Sequence, residues 1–152
     1  MKNKQYFSNT NYLTGTTLKN NEVPEQNNMA LHVCADMEAV LQNREKLAIE
    51  LGVPLTHFVC ANQTHSANFY HVTKQDLGRG AVDLETAIQN TDALYTYEPN
   101  TVLCSFTADC VPVLFYHETN GLIGAVHSGW QGTVKEITLK LFEHLKQEAQ
   151  CQ

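Results

Sequence analysis

The 152-residue chain has no apolar run approaching the roughly 18 residues needed to span a bilayer. Its first 28 residues also lack a basic start, an apolar block and a small-residue cleavage site. These absences predict a soluble protein that stays in the cytoplasm and has no membrane partner. Basic charge is scarce: 10 Lys and Arg stand against 16 Asp and Glu, a net charge of -6 with no basic stripe. That balance argues against binding a phosphate backbone, so nucleic acid is not an expected partner. The five cysteines (34, 60, 104, 110 and 151) are odd in number, widely spread and never in a CxxC pair. They predict reduced thiols rather than a disulfide framework or a zinc finger. His-x-His pairs are missing too, which counts against a dioxygen-reducing copper oxidase.

A hydrophobic content of 43% and a charged content of 17% fit one globular domain with its own core over residues 1–152. Residues 1–28 are rich in Asn, Thr and Lys; irregular structure is expected there, with only YFS and NYL suited to short strands. Met37, Val40, Leu41, Arg44, Leu47, Ala48 and Leu51 recur at helical spacing between an Asp36 cap and a Gly52–Pro54 stop. HFVCANQTH reads as a strand whose polar end leaves the sheet, NFYHVT as a further strand, and KQDLGRGA as a glycine-bearing loop. DLETAIQN has a helix-like pattern from Asp83, and ALYTY is a strand closed at Pro99–Asn100.

TVLCSFT, VPVLFY and LIGAV follow as strands, the last two joined by HETNG with its Asn-Gly hairpin signal. Pro112 cannot donate to a ladder, which places VPVLFY at an edge or leaves its start unpaired. A final helix is expected with Val134, Ile137, Leu141, Phe142 and Leu145 on one face. Thr133 and Glu136 form a capping-box pattern at its start, and no stop signal precedes Gln152.

Cys110 sits where a strand meets a turn, beside Asp109; a core thiol, a nucleophile and a metal ligand are all open to it. His127 closes an apolar strand and opens SGWQG, with Gly129 and Gly132 leading into a helix whose free amides would favour an anion, phosphate foremost. His65 occupies its own strand end. If His65, Cys110 and His127 converge, two imidazoles and a thiolate make an open three-ligand zinc site with a fourth position for water or substrate. The same three residues also allow a cysteine nucleophile with its base, or a blue-copper set. His32, His57, His71, His117 and His144 read as surface or satisfied histidines.

NQTHS (62–66), TADCVPV (107–113) and AVHSGWQGT (125–133), in that order, resemble the signature of the laccase-domain family. The stretch from Asn28 to Gly52 is similar to its N-terminal helix segment, and DALYT to the strand before its cysteine motif. Members were first described as multicopper polyphenol oxidases and are now described as purine nucleoside phosphorylases with adenosine deaminase activity. The resemblance covers roughly residues 28–145. It implies an α+β fold of mixed sheets flanked by helices, with zinc held by His65, Cys110 and His127. Copper ranks behind zinc, because copper bound adventitiously to a zinc site follows from the general affinity order.

The activities implied are phosphorolysis of adenosine, inosine and methylthioadenosine, and deamination of adenosine, so the expected partners are a purine nucleoside and phosphate. His65, Cys110 and His127 would then be catalytic, Asp109 would handle a proton or orient a ligand, and Gln131, Gly129 and Gly132 would lie against substrate. Other readings are peptidoglycan editing with Cys110 as nucleophile, a copper-dependent polyphenol oxidase, and a non-catalytic relative. Three positions depart from the family pattern: Gln131 stands for Arg, Ser66 for Gly and Cys34 for Gly. The neutral amide of Gln131 cannot replace a guanidinium fork. Family members also continue beyond this final helix, so the resemblance implies a truncated or partial form.

Overall fold

The computed structural model describes residues 3–8, 11–108 and 110–148. Asp109 and Cys151 lie outside the described residues. The chain is a mixed α+β structure. Strands β1 (Asn3–Ser8) and β2 (Leu13–Thr17) form an antiparallel hairpin, so the N-terminal segment is more regular than its polar composition predicts. Irregular chain follows as far as helix α1 (Met37–Leu51).

That helix starts and stops where its signals lie. Asp36 Oδ1 accepts the amides of Glu38 and Ala39 at 3.1 and 3.3 Å, and Gly52 ends the helix in the left-handed region at φ 71. Its inward face is partly polar: buried Asn43 donates to the carbonyls of Pro24 and Asn28, and buried Arg44 to those of Met29, Gly80 and Ala81. The helix thereby ties down the irregular segment ahead of it, supplying partners for carbonyls that no ladder satisfies.

Strands β3 (Phe58–Val59) and β6 (Val102–Leu103) form a short parallel pair. The larger sheet has the order β4-β5-β8-β7, from β4 (Phe69–Val72), β5 (Ala93–Thr96), β7 (Val111–Tyr116) and β8 (Ile123–Ser128). β4 and β5 are parallel, whereas β8 is antiparallel to both of its neighbours. β7 lies at the sheet edge, as Pro112 requires, and the β7–β8 hairpin turns at Gly121 with φ 80.

The helix-like DLETAIQN is not a helix. Asp83 Oδ1 accepts both the amide and the hydroxyl of Thr86 at 2.8 Å, a local turn that competes with helical bonding, and Ile88 makes a bridge to Ala61. The final helix is two: α2 (Trp130–Val134) and α3 (Ile137–Glu148), parted by Glu136 in the left-handed region at φ 60. Ile137, Leu141 and Leu145 of α3 pack on Ala93, Tyr95 and Val126 of the sheet. Val134 is left 74% exposed, off the face assigned to it from the sequence pattern. Thr133 Oγ1 pairs with Ser128 Oγ at 2.8 Å rather than opening a longer helix. Among the described residues no helix is long and apolar enough to cross a membrane.

Candidate metal centre

Strand direction assembles the site. Because β8 is antiparallel to β5 and β7, its C-terminal end meets their N-terminal ends, and β4, parallel to β5, begins at the same edge. His127 near the end of β8, Asp92 just before β5, Cys110 just before β7 and the His65–Ser66 turn before β4 are thereby gathered together. One ligand atom from each of His65, Cys110 and His127 lies within 4.8 Å of the others. The two imidazole rings are 5.3 Å apart, edge to face.

His127 is 4% exposed and held at two points by Asp92: its Nδ1 stands 2.7 Å from Asp92 Oδ2, and its amide donates to the Asp92 carbonyl at 2.7 Å. A proton on Nδ1 serves the carboxylate and leaves the Nε2 lone pair free for a ligand. The same carboxylate shapes the loop opposite. Oδ1 accepts the Thr64 amide at 3.1 Å and the Ser66 amide and hydroxyl at 2.8 and 2.7 Å, and Oδ2 accepts the His65 amide at 3.1 Å. Burial alone would raise the proton affinity of Asp92, but these donors, His127 first, outweigh it and hold the carboxyl far below the usual carboxylate range. Asp92 is therefore a fixed negative charge.

His65 adopts φ 63, an unfavourable region for a residue with a Cβ. Its amide is bound by Asp92 and its carbonyl by Lys135 Nζ at 3.0 Å. Ser66 is accommodated without a positive φ and uses its hydroxyl on Asp92. Gln63 joins the two loops, its amide nitrogen donating to the Phe106 carbonyl at 2.9 Å and its oxygen accepting the Phe106 amide at 2.8 Å.

Gly129 explains why the space between the three side chains is open. A Cβ there would lie 3.1 Å from Cys110 Sγ, 3.3 Å from His65 Cδ2 and 3.8 Å from His127 Cε1, inside the cradle that an ion would share. The donor set of two imidazoles and one thiol suits zinc or copper, so the group could hold a metal ion. Of the other expected residues, Gly132 is buried against Ile137 and the carbonyls of His127 and Ser66, which makes it a packing position between α2 and the His65 loop. Gln131 is half-buried on α2, and Asp109 is outside the described residues.

Sequence reasoning missed Asp92, Gln63 and Lys135. The only signal for Asp92 was an acid directly ahead of an apolar strand, and its partners come from segments remote in sequence.

Residues 14–152 match the profile of the family described as multi-copper polyphenol oxidoreductase laccase. The chain belongs to that family. It is 46% identical over 110 residues to "Purine nucleoside phosphorylase YlmD" of Geobacillus stearothermophilus, covering 72% of this chain and 40% of that protein. It is 40% identical over 134 residues to "Purine nucleoside phosphorylase YlmD" of Bacillus subtilis, covering 86% of this chain and 48% of that one. The crystal structure of the Geobacillus stearothermophilus YlmD superposes with a TM-score of 0.77 at 42% identity, over 79% of this chain and 44% of that chain. The chain thus spans less than half the length of these relatives.

Proposed function

We propose that this chain carries the zinc centre of a cytoplasmic purine nucleoside enzyme. Its reactions would be phosphorolysis of adenosine, inosine or methylthioadenosine and deamination of adenosine. The observation that carries the reading is the meeting of His65, Cys110 and His127 around one point, with Asp92 fixing both histidines. Relatives named purine nucleoside phosphorylase supply the substrate class. When bound, zinc would supply a Lewis acid and a water of pKa about 7.

The protein groups have separable tasks. Asp92 keeps the Nδ1 proton of His127 in place and sets the tautomer. Cys110 contributes sulfur as the thiolate. Lys135 bonds the His65 carbonyl, and its ammonium retains two further donors at the rim, where an anionic phosphate would meet positive charge that Gln131 does not provide. Gly129 keeps Cβ atoms out of the space between the donors.

The test is metal analysis of the purified chain followed by product analysis with adenosine, with and without phosphate. Adenine released only with phosphate supports phosphorolysis, and inosine supports deamination. Failure of the zinc-loaded protein to form either product would contradict the proposal.

A further inference from the structure

The short parallel pair β3–β6 sets Phe58 opposite Val102 and Val59 opposite Leu103, so the next residues out, Cys60 and Cys104, face each other. The Cys104 amide donates to the Val59 carbonyl at 3.2 Å, which continues the ladder to this point. Paired strands lie about 4.8 Å apart, and a disulfide bridges Cα atoms about 4.4 to 6.8 Å apart, so the strand spacing suits a bond with little backbone movement.

A second observation concerns charge. Arg44 is 3% exposed, and its side-chain hydrogen bonds run to the carbonyls of Met29, Gly80 and Ala81. Among the described residues no carboxylate forms an ion pair with it. Gly80, whose carbonyl it holds, abuts Cys60 so closely that a Cβ at Gly80 would come within 3.0 Å of the Cys60 Cβ. A buried cation without an anion favours a thiolate beside it. The Cys104 thiol beside it and, after it, the Arg44 guanidinium outweigh burial and bring the Cys60 thiol below its ordinary value, whereas that of Cys104 is pushed up.

We infer that Cys60 and Cys104 are a redox modification site, a dithiol that closes to a disulfide with hydrogen peroxide. The thiolate attacks one peroxide oxygen, the O–O bond breaks, and a sulfenic acid forms as the departing hydroxide takes a proton to become water. The second sulfur then attacks the sulfenic sulfur, forming the S–S bond and expelling the hydroxyl as a second water with the remaining thiol proton. Two electrons pass from the sulfurs to the peroxide. Residues 60–65 and 104–110 run from this pair to His65 and Cys110, and Gln63 and Phe106 cross-link them midway. The disulfide therefore tethers the two metal-site loops at their root.

The test treats zinc-loaded protein with hydrogen peroxide, alkylates the remaining thiols in denaturant, and maps the peptides by mass. The expected product joins the Cys60 and Cys104 peptides with loss of two hydrogen atoms and is reversed by dithiothreitol. In Cys104→Ser, a sulfenic acid at Cys60 should be trapped by dimedone instead. Full alkylation of Cys60 and Cys104 after Cys34 has been oxidised would overturn the inference. So would a product joining either thiol to Cys110. Both readouts are independent of turnover.

Discussion

The two histidines of the candidate metal centre are held in opposite ways. His127 lies in a paired strand, 4% exposed, with ring and backbone both on Asp92. His65 is exposed on a turn, in a backbone region that L-residues avoid, between the Asp92 carboxylate and the Lys135 ammonium. One ligand is placed by the sheet and the other by a carboxylate that the sheet positions. The difference teaches that Asp92, itself no part of the donor set, joins scaffold to loop.

Breaking the donor set should have the largest effect on metal. Cys110→Ala removes the one sulfur, and zinc affinity should fall at least about 1,000-fold while the metal-free protein stays within about 1 kcal/mol of its original stability, because the residue is half-buried and outside the ladder. Competitive chelator titration and denaturant unfolding read the two quantities. Breaking the joint should affect both halves of the comparison. Asp92→Ala strips the partner from His127 and the acceptor from three loop amides, with an expected loss of about 3 to 5 kcal/mol in unfolding free energy.

Asp92→Asn, closer in shape, should weaken zinc binding about 10- to 100-fold. Its pH dependence has a fixed sign. The carboxyl is depressed in the folded state, so its contribution is complete above about pH 4, the unfolded value, and fades as pH falls toward the folded one. Acid unfolding of the metal-free protein should therefore show the stability gap between the unsubstituted chain and its Asp92→Asn variant narrowing on acidification; a constant gap would count against the assignment.

Two milder changes probe the loop side alone. Lys135→Met should raise the KM for phosphate about tenfold and leave the KM for nucleoside nearly unchanged, with Lys135→Arg restoring most of the loss. Equal effects on both substrates would mean that Lys135 acts only by holding the His65 carbonyl. Finally, His65→Gly should be more stable than His65→Ala by about 1 kcal/mol in the metal-free protein, since glycine adopts φ 63 without strain. No matching pair at His127 should show such a preference, because that residue lies in regular strand.

Much of this arrangement can be read from residues close together in sequence. α1 combines a cap, an apolar stripe and a stop within one segment, and Pro112 marks its own strand as an edge. The convergence of His65, Cys110 and His127 was legible because each stands at a strand end in a motif of its own type. Asp92 was not, because an acid before a strand looks like a turn cap, and only the antiparallel register of β5 with β8 sets it beside His127. DLETAIQN misleads for a related reason: its helical spacing is overridden by the Asp83–Thr86 turn and by the pairing of Ile88 with a distant residue. The split between α2 and α3 likewise follows from packing. The left-handed Glu136 lets α2 lie over the His65 loop while α3 turns its apolar face to the sheet.

X-ray absorption at the zinc edge of the purified, zinc-loaded chain tests the central assignment most directly. One zinc per chain, with a single sulfur at about 2.3 Å and two imidazole nitrogens at about 2.0 to 2.1 Å, is the expected result, the sulfur vanishing in Cys110→Ala. A sphere without sulfur, or one unchanged in that variant, would contradict it.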